Sequence, residues 1–154
     1  MDLAITSSAF ENNGSIPAKY TADGENISPP ITITGVSERA LSLVLIIDDP
    51  DAATDPNGPG IVYDHWLVFN IPPETVEIAE NSVPPGATQG KNSGGESKYT
   101  GPAPPTGTHR YFFRLYALSH KLDLDENATK DEVQNAMKPV LISKTEMAGN
   151  YASA

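Results

Sequence analysis

Three clusters of polar residues stand beside the three most apolar segments of this 154-residue chain. Asp48, Asp49 and Asp51 follow Leu41–Ile47, Asp64 and His65 precede Trp66–Ile71, and His109, Arg110 and Tyr111 precede Phe112–Leu118. Two imidazoles supply hydrogen-bond donors and, in part, positive charge near neutral pH. A tyrosine adds a hydroxyl donor. A carboxylate beside a histidine fixes its tautomer and raises its pKa. A backbone N–H beside Gly101 would close around an oxyanion, because glycine lets a ligand approach closely. The set suits a small phosphoryl or carboxylate group, bound better below the histidine pKa than above it.

Each residue also has a plainer reading. Asp49-Pro50-Asp51, taken alone, reads as a structural turn. His65, taken alone, reads equally well as a hydrogen-bonded core residue. His109 and Tyr111 are two apart and share one face of a strand, whereas Arg110 points to the other face and is expected in an ion pair. His120, beside Lys121 at a strand end, is expected at the surface, and Trp66 in the core or a pocket wall. Rival chemistries lack their motifs. The sequence has no Cys, no G-x-S-x-G elbow, no P-loop, no dinucleotide fingerprint and no H-E-x-x-H spacing. No metal or cofactor is therefore expected, and a non-enzymatic binding role leads. A hydrolase or lyase using His65 or His109 as general base is a lesser alternative.

These clusters need elements to hold them. Gly101-Pro-Ala-Pro-Pro-Thr-Gly-Thr108 spends Pro and Gly on a stiff loop that delivers His109 and Tyr111 at its exit. Residues 3–10, Ile31–Thr34, Leu41–Ile47, Trp66–Ile71, Phe112–Leu118 and Val140–Thr145 read as strands, and 74–100 as irregular. One helix is expected after Thr129, whose spacing to Glu132 is that of a capping box, with Val133, Ala136 and Met137 on one face and Pro139 closing it. With 14 Pro and 12 Gly, many turns and few long helices follow. The expectation is one mostly β domain over residues 1–154. If the three apolar strands are antiparallel neighbours, the exit of one and the entries of the others lie at one end, and the clusters meet.

The formal net charge is −10 at pH 7, with no polybasic run, which disfavours nucleic acid and anionic membrane surfaces. No apolar run is long enough to span a membrane, and no signal peptide is evident at the start. The lack of Cys fits a reducing, cytoplasmic setting.

Asp49-Pro50-Asp51-Ala52, Asp64-His65-Trp66 and Gly101-Pro102 through His109-Arg110-Tyr111 resemble the phosphatidylethanolamine-binding protein family, which includes the Raf kinase inhibitor proteins. Asp23-Gly24-Glu25-Asn26-Ile27-Ser28-Pro29-Pro30 and Leu115-Tyr116-Ala117-Leu118 are similar to its short bacterial and archaeal branch, and the resemblance covers roughly residues 3–151. It implies a large central antiparallel sheet, a smaller second sheet and one or two short helices. It implies an anion pocket formed by Asp49, His65, Gly101, His109 and Tyr111, with Pro102 in its wall. Ala53 and Ala103 depart from the family pattern beside that pocket. A homodimer is also implied. As an alternative function it implies inhibition of a serine protease or kinase through the exposed loops at 52–61 or 84–100.

Overall fold

The computed structural model describes residues 2–153. Among the described residues, nine strands form two sheets. The strands are β1 (Ala4–Thr6), β2 (Gly14–Ser15), β3 (Ile31–Thr34), β4 (Ser42–Asp49), β5 (Tyr63–Ile71), β6 (Glu77–Ile78), β7 (Thr88–Gln89), β8 (Thr108–Leu118) and β9 (Leu141–Ala152). The larger sheet has the order β2-β9-β8-β4-β5-β7 and the smaller the order β1-β3-β6. Every pair is antiparallel except β2 with β9.

β4 is buried along its whole length, as its unbroken apolar run requires. Leu43, Leu45 and Ile47 pack with Ile5, Ile31 and Ile33 of the smaller sheet. Val44 and Ile46 face the other way, into a second core with Leu122, Val133 and Met137. The helix supplying those last two, α1 (Lys130–Met137), starts with the expected capping box of Thr129 and Glu132, and Pro139 lies in the short 3-10 turn that follows it. Ala136 is only partly buried.

The strands at the core are longer than their apolar runs. His109, Arg110 and Tyr111 lie on β8 itself, not in the loop before it. β9 extends to Ala152 because its later residues pair with the start of β8, Tyr151 opposite His109. The first strand is shorter than expected, and 74–100 holds two two-residue strands that only edge pairing defines. Among the described residues no helix is long and apolar enough to cross a membrane.

Two irregularities in β5 matter for position. Asn70 has φ 56°, and the register between β4 and β5 slips there. Asn70 uses the bend to exchange hydrogen bonds with Leu122, Nδ2 donating to its carbonyl at 2.9 Å and Oδ1 accepting from its N–H at 2.8 Å. The second slip is at the other end of β5. Ile47 pairs with Trp66 but Asp48 pairs with Asp64, so His65 is the extra residue of a β-bulge.

Candidate functional site

β4 ends where its two neighbours begin. Because β5 and β8 both run antiparallel to it, Asp49, His65 and His109 arrive at one edge of the larger sheet. They line a cavity of about 310 Å³. Thr100 and Gly101 complete its polar side, and Ala52, Pro59, Tyr63, Ala103 and Pro105 make the rest of the wall.

Strand alternation sets His109 and Tyr111 on the face of the first core and turns Arg110 away. Arg110 chelates Asp51 through Nε and Nη2 at 3.1 and 3.0 Å. Asp49 faces the cavity and its neighbour Asp48 the opposite side. His65 reaches the same face by a different route. Strict alternation from Trp66, which is buried in the first core, would turn it away; the bulge lets both consecutive side chains share a face.

The two histidines are prepared differently. His65 Nδ1 lies 2.6 Å from the Thr100 carbonyl oxygen, which can only accept, so Nδ1 carries the proton. The backbone closes the same contact in reverse, Thr100 N–H donating to the His65 carbonyl at 3.0 Å. Burial lowers the His65 pKa despite that bond and the nearby aspartates, so the ring is neutral at pH 7. Its Nε2 is then a lone-pair acceptor, buried and without a partner. His109 has a carboxylate on each ring nitrogen, Asp49 Oδ2 at 2.6 Å from Nδ1 and Asp55 Oδ2 at 2.7 Å from Nε2. Burial disfavours its charge, but the two carboxylates outweigh burial and raise its pKa. The two rings therefore differ in their readiness to carry charge, because His65 has a carbonyl where His109 has an anion.

The remaining expected residues support the site in unequal ways. Tyr111 packs edge-on to His65 at 5.3 Å and stacks on His109 at 6.4 Å, with its hydroxyl buried and unpartnered. Burial, followed by the charge of Asp49, pushes its pKa up, so it stays a neutral donor. The Gly101 N–H is not free for an oxyanion: it donates to Asn26 Oδ1 at 2.7 Å. Glycine is required there because a Cβ would sit 2.5 Å from the Tyr20 carbonyl oxygen and 2.6 Å from Asn26 Oδ1. Pro102 is buried behind the wall, its carbonyl accepting from Ala22 N–H at 3.0 Å, while Ala103 and Pro105 reach the cavity. His120 is exposed, and Trp66 is core, its indole N–H donating to Gln89 Oε1 at 2.7 Å.

Sequence reasoning missed Asp55, Tyr63, Thr100 and Thr106. Asp55 sits in a run of turn formers, where an aspartate signals a turn before it signals a site. Thr100 acts through its carbonyl, which no residue type reveals. Among the described residues no cluster of potential metal ligands is present.

The sequence model of the phosphatidylethanolamine-binding protein family matches residues 6–152. The chain belongs to that family. A UPF0098 protein of Methanothermobacter thermautotrophicus is 46% identical over 97% of this chain and 98% of its own length. One from Archaeoglobus fulgidus is 45% identical over 94% of this chain, which spans only 50% of that relative. Among solved structures, a phosphatidylethanolamine-binding protein homologue from Chlamydia trachomatis superposes with a TM-score of 0.91 at 37% identity, covering 99% of both chains. E. coli YbcL, described as a member of the mammalian family, superposes with a TM-score of 0.89 at 26% identity over both full chains. A carboxypeptidase Y inhibitor in complex with its cognate proteinase shares the fold alone, with a TM-score of 0.58 at 18% identity, over 99% of this chain and 83% of its own.

Proposed function

We propose that this member of the family is a non-enzymatic binder of a small oxyacid, a phosphoryl monoester or a carboxylate, with His65 Nε2 as the anchoring atom. The unpartnered, buried Nε2 beside a 310 Å³ cavity carries the reading. A buried polar atom left without a partner is costly, and a ligand that supplies one recovers that cost. Nε2 is a lone pair when neutral, and Asp49 lies nearby, so a bare dianion is a poor match. A singly protonated oxyacid is a good one: its O–H donates to Nε2, or equivalently the proton sits on Nε2 and the oxyanion accepts. Either way the complex holds one shared proton. Ala52, Pro59, Ala103 and Pro105 keep that proton in an apolar surround.

The shared proton sets the pH dependence. A phosphoryl monoester has its second pKa near about 6. Above that value, and above the lowered pKa of His65, each complex takes up a proton and affinity falls by about tenfold per pH unit. Calorimetric titration with phosphate, phosphoethanolamine and acetate at pH 5.5 and 8 tests this. We expect binding at pH 5.5 that weakens at pH 8. Absence of binding by all three at millimolar concentration refutes it, as does binding that strengthens toward pH 8.

A protein-interaction role is a second reading, favoured by one observation. Ile61 and Val62 are 53% and 38% exposed between Pro59 and Tyr63, which line the cavity. With the −10 charge, an apolar rim of this kind suits a basic protein partner. Inhibition of serine proteases or kinases by micromolar protein, lost in Ile61→Asp, would support it; no inhibition across a panel would remove it.

A further inference from the structure

Asp55 makes more hydrogen bonds than a turn needs. Its Oδ1 accepts from Thr106 Oγ1 at 2.5 Å and from Asn57 N–H at 2.9 Å. Its Oδ2 accepts from His109 Nε2 at 2.7 Å and from Thr106 N–H at 3.3 Å. The side chain is 4% exposed although its segment lies on the surface. Three donors from β8 and the loop before it, His109 Nε2, Thr106 Oγ1 and Thr106 N–H, thus converge on one carboxylate carried by a different loop. A set of this kind would hold any carboxylate or phosphoryl oxygen. His109 lines the 310 Å³ cavity and also a second, more open one of about 400 Å³, whose lining includes Asp51, Thr54, Asp55 and Thr106. Asp55 faces only the second.

We propose that the Asp55 carboxylate is a built-in occupant of an oxyanion seat formed by His109 and Thr106, and that an external oxyanion gains His109 only by displacing it. The proposal rests on the anion-binding reading above and adds a second contact point to it. With Asp55 in place, His109 has both nitrogens engaged and offers the ligand at His65 no donor. With Asp55 released, Nε2–H becomes available, and the 54–58 loop, held to β8 by this side chain, is free to move. The apparent affinity of the site is then the intrinsic affinity scaled by the fraction of molecules with Asp55 out.

The contact is also titratable. Ionisable groups around His109 are Asp49 from β4, Asp51 from the turn after it, Asp55 from the loop, His65 from β5, Arg110 and Tyr111 on its own strand, and Tyr151 opposite it on β9. When the ring loses a proton only one N–H remains. Asp49, buried and with only Ala52 N–H at 3.2 Å as a further donor, needs it more than Asp55, which keeps Thr106 and Asn57. The neutral ring therefore keeps Nδ1–H and turns a lone pair on Asp55, so the loop loosens above the His109 pKa.

Asp55→Asn and Asp55→Ala test this by two readouts. In acetate and inorganic phosphate titrations at pH 5.5, we expect both variants to bind more tightly than wild type, by roughly the tenfold that one charge-assisted hydrogen bond carries. By NMR without ligand, we expect the His109 pKa to fall in both variants, and the wild-type amides of Thr54, Asp55, Asn57 and Gly58 to lose protection, relative to their intrinsic base-catalysed exchange rates, above the His109 pKa. Wild-type binding with no gain in either variant overturns the displacement while leaving the oxyacid site standing. No binding by any of the three proteins overturns both. An unchanged His109 pKa in the variants overturns the occupancy whatever the titrations show.

Discussion

Asp48 and Asp49 are neighbours in sequence, equally buried at 3% exposure, and end on opposite faces of one sheet. Asp48 meets permanent cations. Arg114 chelates it through Nε and Nη2 at 3.0 and 3.1 Å, and Lys130 stands 3.8 Å away while pairing with Asp64 at 2.6 Å. Asp49 meets His109, a cation that can be switched off. Asp48 lies against α1 through Lys130, whereas Asp49 borders a cavity beside the unpartnered Nε2 of His65. Carboxylates of one type, one residue apart, thus do different jobs because one is neutralised irreversibly and the other by a titrating ring. A buried charge matched by arginine is a structural joint, and one matched by histidine is poised to respond.

The contrast is broken most severely at Arg114. Arg114→Met leaves Asp48 buried with only a distant lysine, and we expect a loss of about 3 kcal/mol by chemical denaturation, with oxyacid binding unchanged. An unaltered midpoint would mean that Lys130 alone suffices. His65→Phe acts on the other face. It keeps the core filled and orphans one carbonyl, so we expect a stability loss of about 1 kcal/mol, with phosphate and acetate binding weakened at least about tenfold. Retained binding would move the anchor away from Nε2.

A smaller effect separates the two histidines by pH. The folded pKa of His109 is raised, so its contribution is complete below the unfolded value of about 6.5 and is lost as pH rises through the folded value. The folded pKa of His65 is lowered, so stability falls as pH drops below about 6.5 toward that folded value. From these two groups stability peaks near pH 6.5. His109→Gln should flatten the alkaline limb and His65→Phe the acidic one, read from denaturation midpoints between pH 5 and 9. Equal limbs in all three proteins would show that neither ring is perturbed. Arg110→Ala should change least. Its ion pair with Asp51 is exposed, and we expect no measurable shift in the midpoint. A clear loss would show that Asp51 braces the turn after β4.

What was legible in the sequence follows the two-residue period of strands. That period assigned His109 and Tyr111 to one face and Arg110 to the other, and antiparallel neighbours brought three clusters to one edge. His65 escaped it, since a bulge has no residue-type signature and only the register with β4 reveals it. The neutral state of His65 was not legible either, because it depends on the Thr100 carbonyl. Asp55 was hidden by its company of Pro, Asn and Gly, and the Gly101 N–H by a partner 75 residues away. β2, β6 and β7 are two residues each and exist only through their pairing partners, so no local pattern announces them.

The opposed protonation of His65 and His109 can be observed directly. The chain has three histidines, and exposed His120 serves as an internal reference. In a long-range proton–nitrogen NMR correlation at pH 6, we expect His65 as the neutral Nδ1–H form and His109 as the imidazolium, with added phosphate shifting His65 Nε2 toward its protonated position. A protonated His65 in the free protein, or phosphate that moves His120 and leaves His65 unchanged, would contradict the site described here.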